Sequence, residues 1–240
     1  MAGKKTVIVT GASQGIGAAV VRTFLDHDYS VVATSRTISK SSLALSPHLA
    51  LVDGDIGQAE TAEEVARTAV KEFGSIDHVV NNAGIFAAKS FIDYTAEDFR
   101  RFVSTNLEGF IFITQLAVKQ MLAQGSGGSV TTITASLAEN PMADTPASIP
   151  MITKGGLNAV TRSLAIEYAN KDIRFNAVAP GVVDTPLHNG NSREFLRTRS
   201  PMGTIASPED IAEAVLYLTE ANHVTGDVLH VDGGAHVGRW

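Results

Sequence analysis

The chain contains no cysteine, so neither a disulfide nor a thiolate metal site is available to it. Charged residues make up only 18% of its 240 positions, and the net charge of −6 gives no general attraction to nucleic acid or to an anionic membrane. No apolar run approaches the roughly 20 residues that cross a bilayer. The seven histidines are scattered without the spacing of a metal site. We therefore expect a cytoplasmic protein that binds no metal, no nucleic acid and no membrane.

What the sequence does contain is a regular alternation of β-rich and helical segments. The β-rich runs fall at 6–10, 30–34, 49–52, 76–80, 129–134, 175–178 and 228–231, and the segments with helical spacing at 18–26, 60–73, 95–124, 151–170 and 207–218. Such alternation predicts an α/β fold in which helices cover both faces of a doubly wound parallel sheet. We predict one domain over residues 1–240. The irregular stretch 184–206 is long for a connection, which predicts a substrate lid.

A glycine-rich turn joins the first predicted strand to the first predicted helix. Its sequence runs Thr10-Gly11-Ala12-Ser13-Gln14-Gly15-Ile16-Gly17. Glycine permits a tight turn and lets the backbone approach a pyrophosphate, while the start of a helix offers free N–H donors. The loop by itself is equally consistent with an ordinary strand-to-helix turn. Its place after the first strand of a parallel pattern favours dinucleotide binding on a Rossmann-type sheet.

Further short motifs follow in a fixed order along nearly the whole chain. They are Asn81-Asn82-Ala83-Gly84, Asn106, Lys154 before Gly-Gly-Leu, Pro180-Gly181 with Val183-Asp184-Thr185-Pro186, and Asp232-Gly233-Gly234. In this order, after the glycine turn, they resemble the classical branch of the short-chain dehydrogenase/reductase family. The resemblance implies a nicotinamide cofactor and hydride transfer to or from a small carbonyl or alcohol. It also implies a homotetramer or dimer formed through helices 95–124 and 153–170.

The resemblance also assigns roles to individual positions. The three glycines of the turn shape the pyrophosphate site, Asp55 contacts adenine, and Asn82 to Gly84 line the adenosine ribose. The segment from Pro180 to Thr185 holds the nicotinamide. The predicted cofactor-binding residues are Gly11, Ser13, Gln14, Gly15, Ile16, Gly17, Ser35, Arg36, Asp55, Ile56, Asn82, Ala83, Gly84, Lys154, Pro180, Gly181, Val183 and Thr185. The predicted catalytic residues are Asn106, Ser136 and Lys154.

The end of the second predicted strand bears on the choice between NAD and NADP. A carboxylate there would bind the ribose 2′-hydroxyl and repel a 2′-phosphate. The sequence instead reads Thr34-Ser35-Arg36, and a guanidinium suits a phosphate monoester. Gln14 argues the other way, since relatives that use NADP often carry a basic residue at this point of the loop. The balance favours NADP over NAD.

The family's proton donor is a tyrosine four residues before the lysine, and here that position is Pro150. Proline has no ionisable group and cannot act as a general acid. The orienting serine is displaced as well, because Ala135 stands between Thr134 and Ser136 where simple alignment expects it. Burial depresses the pKa of a lysine, so Lys154, with a water, ranks first as the substitute acid, ahead of His188 and Ser148.

Three functions remain open at this point. The first is an NADP(H)-dependent oxidoreductase with a rearranged acid, acting on a small hydrophobic substrate because Ile85, Phe86, Leu137, Pro141 and Leu187 are expected to border it. The second is a catalytically inactive NADP(H) sensor, which an intact glycine turn and a missing tyrosine would also produce. The third is a non-redox reaction on the same fold, since a fold does not fix a function.

Overall fold

A computed structural model describes residues 3–238, so the two residues at each end of the predicted 1–240 domain lie outside the description. It contains a single seven-stranded sheet in the order β3-β2-β1-β4-β5-β6-β7, and every neighbouring pair is parallel. The strands are β1 (Thr6–Thr10), β2 (Ser30–Ser35), β3 (Leu49–Asp53), β4 (His78–Asn81), β5 (Gly128–Ile133), β6 (Ile173–Pro180) and β7 (Val228–Val231). The helices are α1 (Gly15–Asp26), α2 (Ala59–Phe73), α3 (Ala96–Phe102), α4 (Gly109–Gln124), α5 (Ser148–Tyr168), α6 (Arg193–Arg197) and α7 (Pro208–Glu220). The predicted fold class is confirmed.

The core lies in two layers because successive residues of a strand point to opposite faces of the sheet. On one face, Val7 and Val9 of β1 pack with residues of α1 and α7. On the other face, Ile8 packs with residues of α2, α4 and α5. The central strands are buried on both sides, as expected for a parallel sheet covered by helices, whereas the edge strands β3 and β7 are partly exposed. No helix within residues 3–238 has the length and apolar character needed to span a membrane.

The element boundaries differ from the predicted ones where side chains or proline intervene. The fourth strand starts at His78 rather than at Ile76, because the backbone amide and carbonyl of Ile76 bond the Gln124 side chain at 2.9 and 3.1 Å. Helix α5 starts at Ser148 rather than at Met151, and Pro150 lies in its first turn. Proline fits there because the first N–H groups of a helix have no intrahelical acceptor.

The predicted helix from Thr95 to Gln124 is interrupted by a π-helical turn, Val103–Glu108, between α3 and α4. Its start is as predicted, since Thr95 and Asp98 form a reciprocal capping box. The 184–206 segment is not wholly irregular. It contains a 3-10 turn, Pro186–His188, and α6, and a bridge between Val183 and Ala206 closes its base.

The start of β4 contains a buried titratable side chain. His78 is 4% exposed, its Nδ1 lies 2.9 Å from Ser129 Oγ, and its Nε2 has no partner within residues 3–238. Burial, with smaller contributions from Lys5 and Arg174, lowers the pKa of His78 to about 3. In the unfolded chain the imidazole takes up a proton near its ordinary value of 6.5. The unfolded state therefore binds more protons below pH 6.5, and stability falls as the pH drops toward 3.

Replacing His78 with Gln is predicted to flatten the acid side of the stability profile. In the wild type this group alone contributes a fall of up to about 1.4 kcal/mol per pH unit below pH 6.5. Urea unfolding at a fixed protein concentration, from about pH 7 to pH 5, measures the slope. The exposed His223→Gln is the matched control and should keep the wild-type slope. Equal slopes in His78→Gln and the wild type would contradict the assignment.

Candidate active site

A cleft of about 910 Å³ opens at the carboxyl ends of the strands. It spans the point between β1 and β4 where the strand order reverses, which is where ligands of doubly wound sheets bind. Every residue predicted above to bind the cofactor lines this cleft. Of the predicted catalytic residues, Ser136 and Lys154 line it and Asn106 does not. The topology therefore brings these separated motifs to one place.

The glycine turn presents a row of unused backbone donors to the cleft. The amides of residues 13–17 make no hydrogen bond to any acceptor within the described part of the chain. Helix α1 also lacks a side-chain N-cap and an acidic residue in its first turn. Unpaired N–H groups and the positive end of the helix dipole together form an anion site.

Crowding explains why the turn requires glycine. A Cβ atom on Gly17 would lie 2.3 Å from the carbonyl oxygen of Gly11 and 2.6 Å from Asn82 Nδ2. Asn82 Nδ2 donates to the carbonyls of Thr10 and Gly11, each at 3.0 Å, and so ties the turn to the end of β4. The turn has no room for a side chain at Gly17, and with its free amides it fits a diphosphate group.

The end of β2 lies at another part of the cleft. Ser35 Oγ is buried without a hydrogen-bond partner, and Arg36 is exposed and forms no ion pair within residues 3–238. Asp53 pairs in register with Ser35, and it does not line the cleft. Hydrogen bonds from the Ser39 side chain and backbone lower the pKa of Asp53 and hold its carboxylate at Ser39. A hydroxyl and a guanidinium therefore lie here without a competing carboxylate.

Lys154 reaches the cleft from α5 as a buried cation. Its Nζ donates to the carbonyl of Ile133 at 2.7 Å, and it forms no ion pair with any carboxylate in the part of the chain the structure describes. Burial lowers the pKa of Lys154 to about 8. A Cβ on Gly84 would lie 3.1 Å from this nitrogen, so the glycine leaves the ammonium its space. Lys154 thus carries a proton near neutral pH and releases it readily.

Asn106 lies behind the cleft wall, in the π-helical turn. Its Oδ1 accepts from the Ile85 amide at 2.9 Å, and its Nδ2 donates to the Ile85 carbonyl at 3.2 Å and to Thr153 Oγ1 at 3.0 Å. Thr153 Oγ1 donates in turn to the Pro150 carbonyl at 2.8 Å. The side chain of Asn106 therefore holds the Ile85 loop against the first turn of α5, and it does not line the cleft.

The hydroxyls after β5 differ in what they bond. Thr134 Oγ1 donates to the Val178 carbonyl at 3.3 Å, whereas the Ser136 hydroxyl makes no bond within residues 3–238. Pro150 is buried and does not line the cleft, and no tyrosine within the described residues does. Burial lowers the pKa of His188, although Asp184 opposes the shift, so its imidazole is neutral near pH 7. Ser136, Lys154 and His188 all line the cleft, and each carries a polar hydrogen.

Sequence reasoning missed several residues of the cleft. Ile85, Phe86, Leu137 and Leu187 line it as expected, but Pro141 does not. The missed polar members are Thr37, Arg101, Ser104, Thr105, Asp144, Thr145, Asn191 and Arg199. No motif marks them, because they come from loops and helix ends whose path the sequence pattern does not specify.

The fold and the cleft define a dinucleotide-binding α/β protein, and comparison with known proteins agrees. Residues 11–236 match the family model described as enoyl-(acyl carrier protein) reductase. L-rhamnose 1-dehydrogenase (NAD(P)(+)) from Sphingomonas sp. is 35% identical over 97% of this chain and 96% of its own length. A structure of ElxO with NADP bound superposes with a TM-score of 0.89 at 29% identity, covering 98% of this chain and all (100%) of that one. The structure of the 3-ketoacyl-(acyl-carrier-protein) reductase from Brucella melitensis, complexed with NADH, superposes with a TM-score of 0.90 at 29% identity. It covers 97% of this chain and 98% of that one.

The chain belongs to the short-chain dehydrogenase/reductase family. The resemblance seen in the glycine turn and the later motifs is therefore confirmed at the level of the family. Relatives of the chain include dehydrogenases that use NAD or NADP, and the two structural neighbours were solved with NADP and with NADH bound.

Replacing Gly17 with Ala is predicted to weaken dinucleotide binding by at least about tenfold, because the turn must open to admit the methyl group. Fluorescence titration with NADPH and with NADH measures both dissociation constants. Gly156→Ala on α5 is the control, since a Cβ there meets nothing within 4 Å. Unchanged affinities in Gly17→Ala would show that the amides of residues 13–17 do not hold the cofactor.

Proposed function

We propose that the protein is an NADP(H)-dependent oxidoreductase that interconverts a carbonyl and an alcohol on a small, largely apolar substrate, with Lys154 as the proton donor. The observation that carries the proposal is the Lys154 ammonium, buried in the cleft without a carboxylate partner and with its pKa lowered to about 8. A buried lysine with a pKa near the working pH is suited to general acid–base chemistry.

The residues present fit a nicotinamide dinucleotide. The amides of residues 13–17 would hold the diphosphate, and Ser35 and Arg36 would bind a 2′-phosphate. Asp55 and Ile56 would border the adenine, and Asn82 to Gly84 the adenosine ribose. Pro180, Gly181, Val183 and Thr185 would hold the nicotinamide end. When bound, the nicotinamide supplies or accepts the hydride.

The chain's own groups would handle the oxygen of the substrate. The Ser136 hydroxyl, unbonded within residues 3–238, would donate to the carbonyl oxygen and orient it. As hydride reaches the carbonyl carbon, Lys154 Nζ would give its proton to that oxygen, directly or through a water, and regain one from solvent. Asn106 acts as a positioning residue, because its amide fixes Ile85 against α5.

The apolar part of the substrate would lie against Ile85, Phe86, Leu137 and Leu187. The 184–206 segment, anchored by the Val183–Ala206 bridge, contributes Leu187 and Leu196 to the cleft, which supports a role as a substrate lid. These apolar side chains and the lid would exclude water from the cleft during hydride transfer.

A homo-oligomer is part of the same proposal. Large apolar side chains are exposed on α4 and α5, among them Ile111, Leu122, Ile152 and Ile166. These are the helices through which the family resemblance predicts assembly. A second copy of the chain would cover this surface, as exposed apolar patches on soluble proteins often mark interfaces.

One alternative, a sensor that binds NADP(H) without turning substrate over, is favoured by Pro150 and by the lack of a tyrosine along the described cleft. The sensor would use the same cofactor site as the oxidoreductase. It would differ in that Lys154 gives no proton to a substrate. Turnover therefore separates the two functions, while cofactor affinity does not.

Lys154→Arg is predicted to lower the rate of carbonyl reduction by about 100-fold or more, while NADPH still binds. The reason is that a guanidinium keeps its charge but does not release a proton. In the wild type, kcat/KM for reduction should fall as the pH rises through about 8, where the ammonium deprotonates. Steady-state rates on a panel of aldehydes and ketones give the profile. Tight NADPH binding with no turnover on any substrate would identify the sensor instead.

Arg36→Gln is predicted to raise the dissociation constant for NADPH by about 10- to 100-fold, because charge-assisted hydrogen bonds to the 2′-phosphate are lost. The constant for NADH should change by less than about threefold. Arg22→Gln on α1 is the matched control, since this exposed arginine pairs with Glu209 and does not line the cleft. Equal effects of Arg36→Gln on both cofactors would exclude a 2′-phosphate contact.

A further inference from the structure

The cleft contains an arginine for which neither the fold nor the cofactor accounts. Arg199, which follows α6, lines the cleft, and its side chain is only 12% exposed. The chain as a whole carries a net charge of −6. The charged groups that line the cleft have the opposite balance, with Arg36, Arg101, Lys154 and Arg199 against Asp55 and Asp144. Four cations facing two carboxylates favour an anionic ligand.

The guanidinium of Arg199 is held rigidly by groups on two sides. From the segment between β5 and α5, Asp144 accepts a hydrogen bond from Nη1, and Met142 Sδ lies 3.7 Å from the same nitrogen. From α6, the Phe195 ring stacks on the guanidinium, with 4.6 Å between the ring centroid and Cζ. These contacts fix the plane of the guanidinium between the 184–206 segment and the opposite wall. Its position is therefore set before any ligand binds.

The contacts use only one of the three guanidinium nitrogens. Nη2 and Nε have no hydrogen-bond partner within residues 3–238, and neither atom is fully enclosed by protein. Together these two nitrogens form the side edge of the fork, whose parallel N–H groups match the two oxygens of a carboxylate. The remaining edge is thus a ready bidentate donor.

We propose that Arg199 is a specificity-determining residue that binds a carboxylate of the substrate through Nε and Nη2. The inference rests on the proposed function, since it places this anionic group on the same small carbonyl or alcohol. The substrate class becomes an oxo acid or hydroxy acid with an apolar body, which the neighbouring Phe86, Leu137 and Leu187 would contact.

The existing partner of Arg199 does not oppose such a ligand. The side chain of Asp144 is 67% exposed, and an ion pair that reaches solvent contributes little net energy. Its effect is to orient the guanidinium through Nη1. A substrate carboxylate on the other edge would be the more enclosed partner, and buried charge-assisted hydrogen bonds are the stronger ones.

The test uses oxo acids that differ in the spacing between carbonyl and carboxylate, each paired with its methyl ester, and NADPH as the reductant. The ester keeps the carbonyl and removes the charge. In the wild type, kcat/KM for at least one acid should exceed that for its ester by about 10- to 100-fold. Arg199→Met should remove this preference by lowering the rate with the acid alone, and Arg199→Lys should retain part of it. Arg197→Met, an exposed arginine two residues away that does not line the cleft, should leave the preference unchanged.

The outcomes separate this inference from the function on which it rests. Equal rates with acids and esters in the wild type, or an equal loss with both in Arg199→Met, would overturn the role of Arg199 while leaving the oxidoreductase intact. If neither acid nor ester is reduced, the proposed function fails, and calorimetric binding of the oxo acids to the protein with NADP⁺ decides the matter. Binding that Arg199→Met abolishes would support the carboxylate site, and an absence of binding or binding unaffected by Arg199→Met would reject it.

Discussion

Five consecutive backbone amides, those of residues 13–17, lie at the amino end of α1 without acceptors inside the described protein. Amides at the start of a helix bond water or a ligand when no side chain caps them, and this row offers an anion several donors at once. The contacts around the row serve to keep it open. Gly17 lets α1 start close against the Gly11 carbonyl, and Asn82 ties the carbonyls of Thr10 and Gly11 to the end of β4. We propose that an anionic diphosphate binds at this point and fixes where the remainder of a dinucleotide extends along the cleft.

The parallel sheet brings the other residues of the site to the same edge of the molecule. Because every strand ends at the same edge, the segments after β2, β4, β5 and β6 all reach one cleft. Lys154 arrives there from α5 and bonds the last carbonyl of β5, while Ser136 follows the same strand. Pro150, where the family resemblance led us to expect a tyrosine, fits the first turn of α5, and a proline offers no proton. The buried ammonium of Lys154 is the group that remains beside the expected path of the nicotinamide.

The sequence pattern predicted the parts of this arrangement that depend on local chemistry. The bounds of β1 and the helix starts at 95 and 207, where Thr95 and Ser207 are the N-caps, followed from short-range rules, and the glycine spacing marked the turn before α1. Boundaries set by distant side chains were not predictable, as the bonds between Gln124 and Ile76 illustrate. The same holds for Arg199, whose place in the cleft depends on contacts with Asp144 and Phe195 that only the folded chain brings together. Asn106 was placed correctly in its helix, but the π-helical turn directs its side chain to Ile85 rather than into the cleft.

Amide hydrogen exchange with and without cofactor shows whether a diphosphate rests on the amides before α1. We expect NADPH to slow exchange in the segment 11–17, because the diphosphate would accept hydrogen bonds from the free amides of residues 13–17. Exchange in α7, none of whose residues lines the cleft, should stay the same. If neither NADPH nor NADH at saturating concentration slows exchange in 11–17, no diphosphate rests on these amides, and the account of the site is wrong.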